Sequence, residues 1–92
     1  MKLKMADKSL PLPKRLKSAR LAAKMTQEKL GAAVGLDEAV ASARMSQYEN
    51  GVHTPDFAFI RQVSKILKVP TAFFYCEEDE LADIILAFKC SK

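Results

Sequence analysis

The sequence contains no tryptophan, only three glycines and few runs of β-branched residues. It is rich instead in alanine, leucine and lysine, which favour helices. The composition therefore predicts an all-α protein. Because hydrophobic residues make up 49% of the 92 residues, the chain can bury one small core without a metal or a disulfide, and we expect a single domain.

Cysteine and histidine are scarce as well. Cys76 and Cys90 do not form a Cys-x-x-Cys pair, and the single histidine, His53, is remote from both in sequence. This spacing predicts no metal site and no cofactor, and it favours free thiols in a reducing cytosol. No serine or lysine stands beside a plausible base, so the sequence does not predict an enzyme.

Long apolar runs are also missing. The N-terminal sequence MKLKMADKSLPLPKR is positively charged but lacks the apolar core of about seven residues that a secretory signal needs. No other stretch is long enough to span a bilayer. We expect a cytoplasmic protein that has no membrane partner.

Negative charge is scarce at the front of the chain. Residues 1–24 carry eight basic and one acidic side chain, whereas residues 76–92 carry two basic and five acidic ones, within a net charge of +4. Such a distribution is typical of a protein that faces a polyanion on one side. The alternative is a solvated, lysine-rich arm without a partner.

Prolines separate the first residues from the helical part of the chain. Residues 1–12 alternate lysine with isolated apolar residues and run into a Leu-Pro-Leu-Pro sequence, which disfavours helix, so we predict a basic flexible arm. Pro13 is acceptable in a first helical turn. The apolar spacing that follows it predicts helix 1 over residues 13–24.

The sequence predicts a short second helix between an N-cap residue and a terminating glycine. Thr26 is a good N-cap, and Gly35 supplies the left-handed residue that ends the helix. Gly31 lies in the middle, where glycine costs about 1 kcal/mol relative to alanine. We therefore expect the next helix to approach closely at Gly31, and the alternative is that the glycine is merely tolerated.

Helix 3 combines an inward apolar row with an unusual outer face. Ala41, Met45 and Tyr48 form the inward row. The outer face carries small and amide side chains where a surface helix usually carries glutamate and lysine. These outer residues are Ser42, Ala43, Ser46 and Gln47. Such a face suits a helix that enters a narrow groove, and Asn50 and Gly51 end the helix sharply.

Helices 4 and 5 complete the predicted core. Thr54 and Asp56 are the N-cap candidates of helix 4. Its apolar positions are Phe57, Ile60, Val63, Ile66 and Leu67. Val69-Pro70 ends helix 4, and we expect Phe73 and Phe74 of a short helix over residues 71–75 to seal the core.

Helix 6 is predicted to be amphipathic. Four acidic residues at 77–80 precede it, and Lys89 and Lys92 lie at its far end, as the helix dipole prefers. Its apolar stripe consists of Leu81, Ile84, Ile85 and Phe88. This stripe packs either back onto the domain or onto a second copy of itself.

Two helices around a glycine turn, set within five helices, resemble the helix-turn-helix domain of the λ repressor and Cro family, also called the xenobiotic-response-element type. The resemblance covers about residues 16–75. It rests on the ordered segments MTQEKL at 25–30, VGL at 34–36, MSQYENG at 45–51 and LKV at 67–69. It implies an all-α, five-helix λ repressor-like DNA-binding domain over residues 13–76, followed by a C-terminal amphipathic helix over 77–92 for packing or dimerisation.

In that family, helix 3 lies in the major groove and the start of helix 2 touches the DNA backbone. The resemblance therefore implies that Gln27 binds a phosphate at the N-terminus of helix 2. It also implies that the loop after helix 3 follows a phosphate track. The matching loop residues are Asn50, Thr54 and, when protonated, His53.

The resemblance also assigns base-reading positions to the outer face of helix 3. Ser42, Ala43 and Gln47 match those positions. Gln47 is suited to adenine N6 and N7, and Ala43 to a thymine methyl group. Arg44 offers a cation to a guanine or a phosphate, and Ser46 lies on the same DNA-binding face.

Two further features concern the placement of helix 3. The resemblance implies an ion pair between Arg20 and Glu49 that locks helix 1 to helix 3. This chain also carries four more residues than the family pattern, at Asp37–Val40. Four residues are close to one helical turn, so they either lengthen helix 3 with Asp37 as its N-cap or lengthen the turn, with helix 3 starting near Ser42.

The leading functional prediction is a transcription regulator that binds double-stranded DNA as a homodimer and reads a pseudo-palindromic site. Repressors, restriction-system controllers and antitoxins all fit, and a protein partner such as a toxin or a polymerase stays open. The alternative is a protein-interaction module that kept the fold but lost DNA binding, with helix 6 and the aromatic residues 73–75 as its working surface.

Overall fold

The computed structural model describes residues 10–88. This part of the chain contains six helices and no strand. The helices are α1 (Pro11–Ala22), α2 (Gln27–Ala33), α3 (Glu38–Glu49), α4 (Phe57–Leu67), α5 (Thr71–Tyr75) and α6 (Asp79–Phe88). The all-α prediction is confirmed. None of the described helices is long and apolar enough to cross a membrane.

Side-chain caps begin three of the helices. The hydroxyl of Thr26 accepts a hydrogen bond from the backbone N–H of Lys29 at 3.0 Å, as predicted for α2. Asp56 rather than Thr54 caps α4, and its carboxylate accepts from the N–H of Phe59 at 2.9 Å. Asp37 caps α3. The four added residues therefore lengthen α3, and the alternative of a longer turn is wrong.

The first helix begins two residues earlier than expected. It starts at Pro11, so the prediction that the arm extends to residue 12 is wrong for its last two residues. Pro11 and Pro13 both fit in the first turn because the N–H groups of that turn have no helical partner. The early start places Leu12 in the core. Residues 1–9, which make up most of the predicted arm, lie outside the described residues.

The core collects apolar side chains from all six described helices. Its largest fully buried members are Phe74, Leu16, Leu30, Met45, Ile60 and Val63. Phe73 and Phe74 pack edge to face at 5.5 Å and seal the core, as predicted. Phe57 is a correction, because it is 57% exposed at the start of α4 and its ring pairs with the exposed Tyr75 at 6.2 Å.

The helices α2 and α3 meet closely at Gly31. A Cβ atom on Gly31 would lie 2.8 Å from the Cβ of Ala41 and 3.1 Å from both the carbonyl oxygen of Ala41 and the Cγ of Met45. Real Cβ atoms essentially never approach another atom to 2.8 Å. The close approach predicted from the mid-helix glycine is therefore confirmed. The turn that follows uses Gly35 at φ +100°, in the left-handed region.

Buried Arg15 fastens the start of α6 to α1. Its guanidinium donates to the carbonyl oxygen of Cys76 at 2.9 and 3.0 Å and pairs with the Asp79 carboxylate at 3.0 Å. Lys14 also donates to Asp79, at 3.2 Å. Hydrogen bonds from Lys14 and Arg15 hold the pKa of Asp79 below its usual range, so this attachment persists above that lowered pKa and weakens as the pH falls through it.

These contacts change the interpretation of the charge distribution. Lys14 and Arg15 bind the acidic rear of the chain, and Arg20 pairs with Glu49. Part of the positive charge of residues 1–24 is therefore neutralised inside the domain. Fewer basic side chains are available to face a polyanion than the charge count of residues 1–24 suggests.

A Gly31→Ala substitution tests the close approach of α2 and α3. Alanine favours helix by about 1 kcal/mol. We nevertheless expect a net loss of about 1–3 kcal/mol in the free energy of unfolding, because the new methyl group overpacks the contact. Urea unfolding measures the change. The matched double variant Gly31→Ala/Ala41→Gly removes the Cβ of Ala41, which would lie 2.8 Å from the new methyl group. It should therefore recover part of the lost stability. A more stable Gly31→Ala protein would contradict the close approach.

Candidate nucleic-acid interface

The added turn extends the outer row of α3. Helical spacing places Ala39, Ala43, Ser46 and Asn50 in one row on the side opposite the buried Ala41 and Met45. Ala39, Ala43 and Asn50 are exposed, and Ser46 is half-buried. Ala39 is the member that sequence reasoning missed. It could have been found from its spacing of four residues before Ala43, once α3 was taken to begin at Glu38.

The two acidic residues of the added turn lie off this row. Asp37 is the N-cap, and its carboxylate accepts from the N–H of Ala39 at 3.3 Å. Glu38 precedes Ala41 by three residues and Met45 by seven, so helical spacing places it on the buried side, although its own side chain is exposed. The centre of the outer row therefore stays free of acidic side chains.

A polar cleft of about 390 Å³ lies beside the row. It is lined by Arg44, Gln47, Tyr48, His53 and Thr54. Four of these five were predicted from the sequence to bind DNA. Guanidinium, amide, imidazole and hydroxyl groups converge here, and these groups can donate to phosphate oxygens or to base edges. The ring of Tyr48, which also lines the cleft, packs edge to face against Phe59 at 5.0 Å.

The loop after α3 folds back onto the end of that helix. The backbone N–H groups of Val52 and His53 both donate to the carbonyl oxygen of Gln47, at 2.9 and 3.3 Å. The amide of Asn50 donates to the hydroxyl of Ser46 at 3.3 Å. These bonds hold the loop residues next to the C-terminal end of α3. Two predicted DNA-binding side chains, Ser46 and Asn50, are thus bonded to each other.

A buried carboxylate joins the first three helices. Glu49 accepts from Arg20 through two parallel bonds, at 2.6 and 3.1 Å, so the ion pair implied by the resemblance is present. The side chains of Arg20 and Glu49 are only 9% and 2% exposed. Gln27 donates to the same carboxylate at 3.1 Å, and Arg20 also donates to the carbonyl oxygen of Met25 at 2.9 Å. Each of these hydrogen bonds joins two different helices or a helix and a loop.

Gln27 belongs to this cluster and does not line the cleft. Gln27 is half-buried, and its amide nitrogen is already bonded to Glu49. An amide nitrogen carries two hydrogens, so one donor is left for an outside acceptor. Exposed Lys29 lies two residues further along α2, and exposed Ser42 lies on α3. Among the predicted residues, Arg44, Gln47, His53 and Thr54 therefore line one cleft, whereas Gln27 joins the buried cluster.

The helix-turn-helix family model matches this chain over residues 16–74. Among solved structures, the crystal structure of the transcriptional regulator BswR is similar, with a TM-score of 0.81 and 50% sequence identity. The alignment covers 83% of this chain and 75% of that one. A comparison with curated proteins finds no match. The matched region contains α2, the turn, α3 and α4.

Removing the Glu49 carboxylate tests the buried cluster. In Glu49→Ala, the guanidinium of Arg20 stays buried without its partner, and we expect the free energy of unfolding to fall by about 3–5 kcal/mol. Glu38→Ala, which removes an exposed acidic residue from the same helix, should cost about 1 kcal/mol or less. Urea unfolding of both variants measures the difference. Equal losses would mean that the ion pair does not hold the three helices together.

Proposed function

This chain belongs to the Cro/C1-type helix-turn-helix family of DNA-binding regulators, and from that premise we propose that it reads a pseudo-palindromic operator as a homodimer. The proposal rests chiefly on one observation. The outer row of α3 carries small and amide side chains and lies beside a cleft lined by Arg44, Gln47, His53 and Thr54. A helix with such a face fits the width of a major groove.

In the proposed complex, α3 supplies the base contacts. Gln47 pairs with adenine N6 and N7, and Arg44 binds a guanine or a phosphate. Ala43 contacts a thymine methyl group. Ala39 would reach a neighbouring base pair, because it lies one turn before Ala43 on the same row. Ser42 extends the contact toward α2.

The backbone contacts come from both sides of α3. Gln27 uses its second amide hydrogen on a phosphate at the start of α2, where the helix dipole favours an anion. Asn50, His53 and Thr54 follow the phosphate track on the other side. Ser46 supports Asn50 through their mutual hydrogen bond.

Two copies are needed to read a two-fold site. Their α3 helices would enter successive major grooves on one side of the duplex, about 34 Å apart. A regulator built this way recognises two half-sites in inverted orientation. Its affinity for a single half-site is correspondingly weaker.

The protein-interaction alternative loses part of its support. Phe73 and Phe74 are buried in the core, so the surface proposed for residues 73–75 retains only Tyr75. The exposed Phe57–Tyr75 pair and the exposed Leu81, Ile84 and Phe88 of α6 still favour an interaction surface. The first experiment below separates the two functions.

Selection from random DNA duplexes tests DNA reading directly. We expect enrichment of an inverted repeat. The logarithm of the binding constant should fall with the logarithm of salt concentration by about 0.9 per phosphate contacted. The absence of any enriched sequence at low salt would overturn the proposal and favour the protein-interaction module.

Two glutamine variants separate base contacts from backbone contacts. Gln47→Ala should relax discrimination at one base position by about 1–3 kcal/mol, whereas Gln27→Ala should weaken binding to all sites alike. Gln62→Ala, an exposed glutamine on α4, is the matched control and should change neither. Gel shifts on the selected site and its single-base variants give the profiles. Unchanged profiles and affinities for both variants would contradict the proposed docking.

A further inference from the structure

The added turn of α3 brings a valine onto the outer face of that helix. Val40 is 39% exposed, and it carries the one large apolar side chain among residues 37–40. Val40 precedes Arg44 by four residues and Gln47 by seven, so helical spacing places the three in one row. Arg44 and Gln47 both line the cleft. Val40 therefore extends the cleft side of α3 by one turn.

Val40 is part of a contiguous apolar surface. Ala43 follows Val40 by three residues and Ala39 by four, and side chains at these spacings are neighbours on a helix, with Cβ atoms about 5–6 Å apart. All three residues are exposed. We call them the apolar patch. A lone exposed apolar residue is ordinary on a protein surface, whereas a contiguous patch beside a polar cleft indicates a specific apolar contact.

The polar side chains of the added turn are placed elsewhere. The Asp37 carboxylate accepts from the backbone N–H of Ala39 at 3.3 Å. Helical spacing puts Glu38 on the side of the buried Ala41. Ala39 and Val40 are therefore the residues of this turn that can meet a base beside the cleft. Neither side chain has a hydrogen-bond donor or acceptor, so they do not read the polar groups of a base edge.

The major groove offers one apolar group to such a patch. The edges of the base pairs present hydrogen-bond donors and acceptors there, together with the C5-methyl group of thymine. Cytosine carries a hydrogen atom at the equivalent carbon, and 5-methylcytosine carries a methyl group in its place. An apolar patch can therefore distinguish a pyrimidine with a C5-methyl group from one without it.

The length of the added turn determines how far the patch reaches along the groove. One helical turn rises about 5.4 Å, and successive base pairs are about 3.4 Å apart. The added turn therefore extends the contact by about one or two base pairs beyond those that Ala43 and Gln47 reach. This distance is enough for one further pyrimidine in each half-site.

We propose that Val40 is a specificity-determining residue that packs, together with Ala39, against the C5-methyl group of one pyrimidine in each half-site. This inference rests on the proposed function, since it requires α3 to lie in the major groove, and it names the chemical group that the added turn recognises. The methyl group belongs to thymine or to 5-methylcytosine. In the second case, methylation of the DNA would control binding.

A methyl scan of the duplex enriched by selection tests this contact. Each thymine in turn is replaced in both half-sites by deoxyuridine, which removes only the methyl group, and each cytosine by 5-methyldeoxycytidine, which adds one. For the wild type, we expect one position at which the methyl group strengthens binding about 4-fold per half-site, the effect of burying about one methyl group. In Val40→Ala this preference should fall to about 2-fold or less, because most of the contacting side chain is gone.

Leu21→Ala is the matched control. It also truncates an exposed branched side chain on a helix, at 55% exposure, and it should keep the methyl preference of the wild type. Circular dichroism checks that each variant is folded. A preference found in the deoxyuridine series identifies thymine as the source of the methyl group, and one found in the 5-methyldeoxycytidine series identifies 5-methylcytosine. A wild type without any methyl preference, or a folded Val40→Ala protein that keeps it at every position, would overturn the proposal.

The two proposals fail in different ways. If selection enriches a site and Val40→Ala keeps every methyl preference of the wild type, DNA reading stands and the contact at Val40 is wrong. If selection enriches no site, the proposed function fails and the contact fails with it.

Discussion

The buried Glu49 carboxylate is the interaction on which the candidate nucleic-acid interface depends. It accepts two bonds from Arg20 and one from Gln27, so α1, α2 and α3 meet at a single side chain. Removing an ion from water costs several kcal/mol unless it is fully paired, which makes any other placement of these helices unfavourable. Gln47 lies two residues before Glu49. The loop after α3 folds back onto the carbonyl oxygen of Gln47. The orientation of the cleft therefore follows from this buried contact.

The first helix connects the two ends of the domain. Arg20 reaches α3, whereas Arg15 reaches the start of α6, and both guanidinium groups are buried. Arginine suits this task because its planar fork can satisfy several acceptors at once. A shift of α6 would thus be transmitted along α1 to α3.

Local chemistry explains why much of this fold could be predicted. Thr26 and Gly35 act through their nearest neighbours, and Gly31 carries a helix-propensity cost that only close packing explains. The start of α3 was one of two alternatives that the equivalence of four residues and one turn left open, and the Asp37 cap decides between them. The Arg20–Glu49 pair came from family resemblance, since its partners are distant in sequence and spacing does not reveal them.

Long-range contacts explain what could not be predicted. Arg15 looks like an ordinary surface cation in the sequence, and its burial depends on carbonyl groups far along the chain. Phe57 has the helical period of a core residue, yet the first turn of α4 leaves it exposed. The stripe assigned to α6 divides between two sides, because Ile85 packs inward while Leu81 and Ile84 face outward. The most direct test of the central claim is an NMR titration of the labelled protein with a selected duplex. Shift changes should concentrate in residues 39–54 and at Gln27. Changes centred on Phe57 and Tyr75, with α3 unaffected, would contradict it.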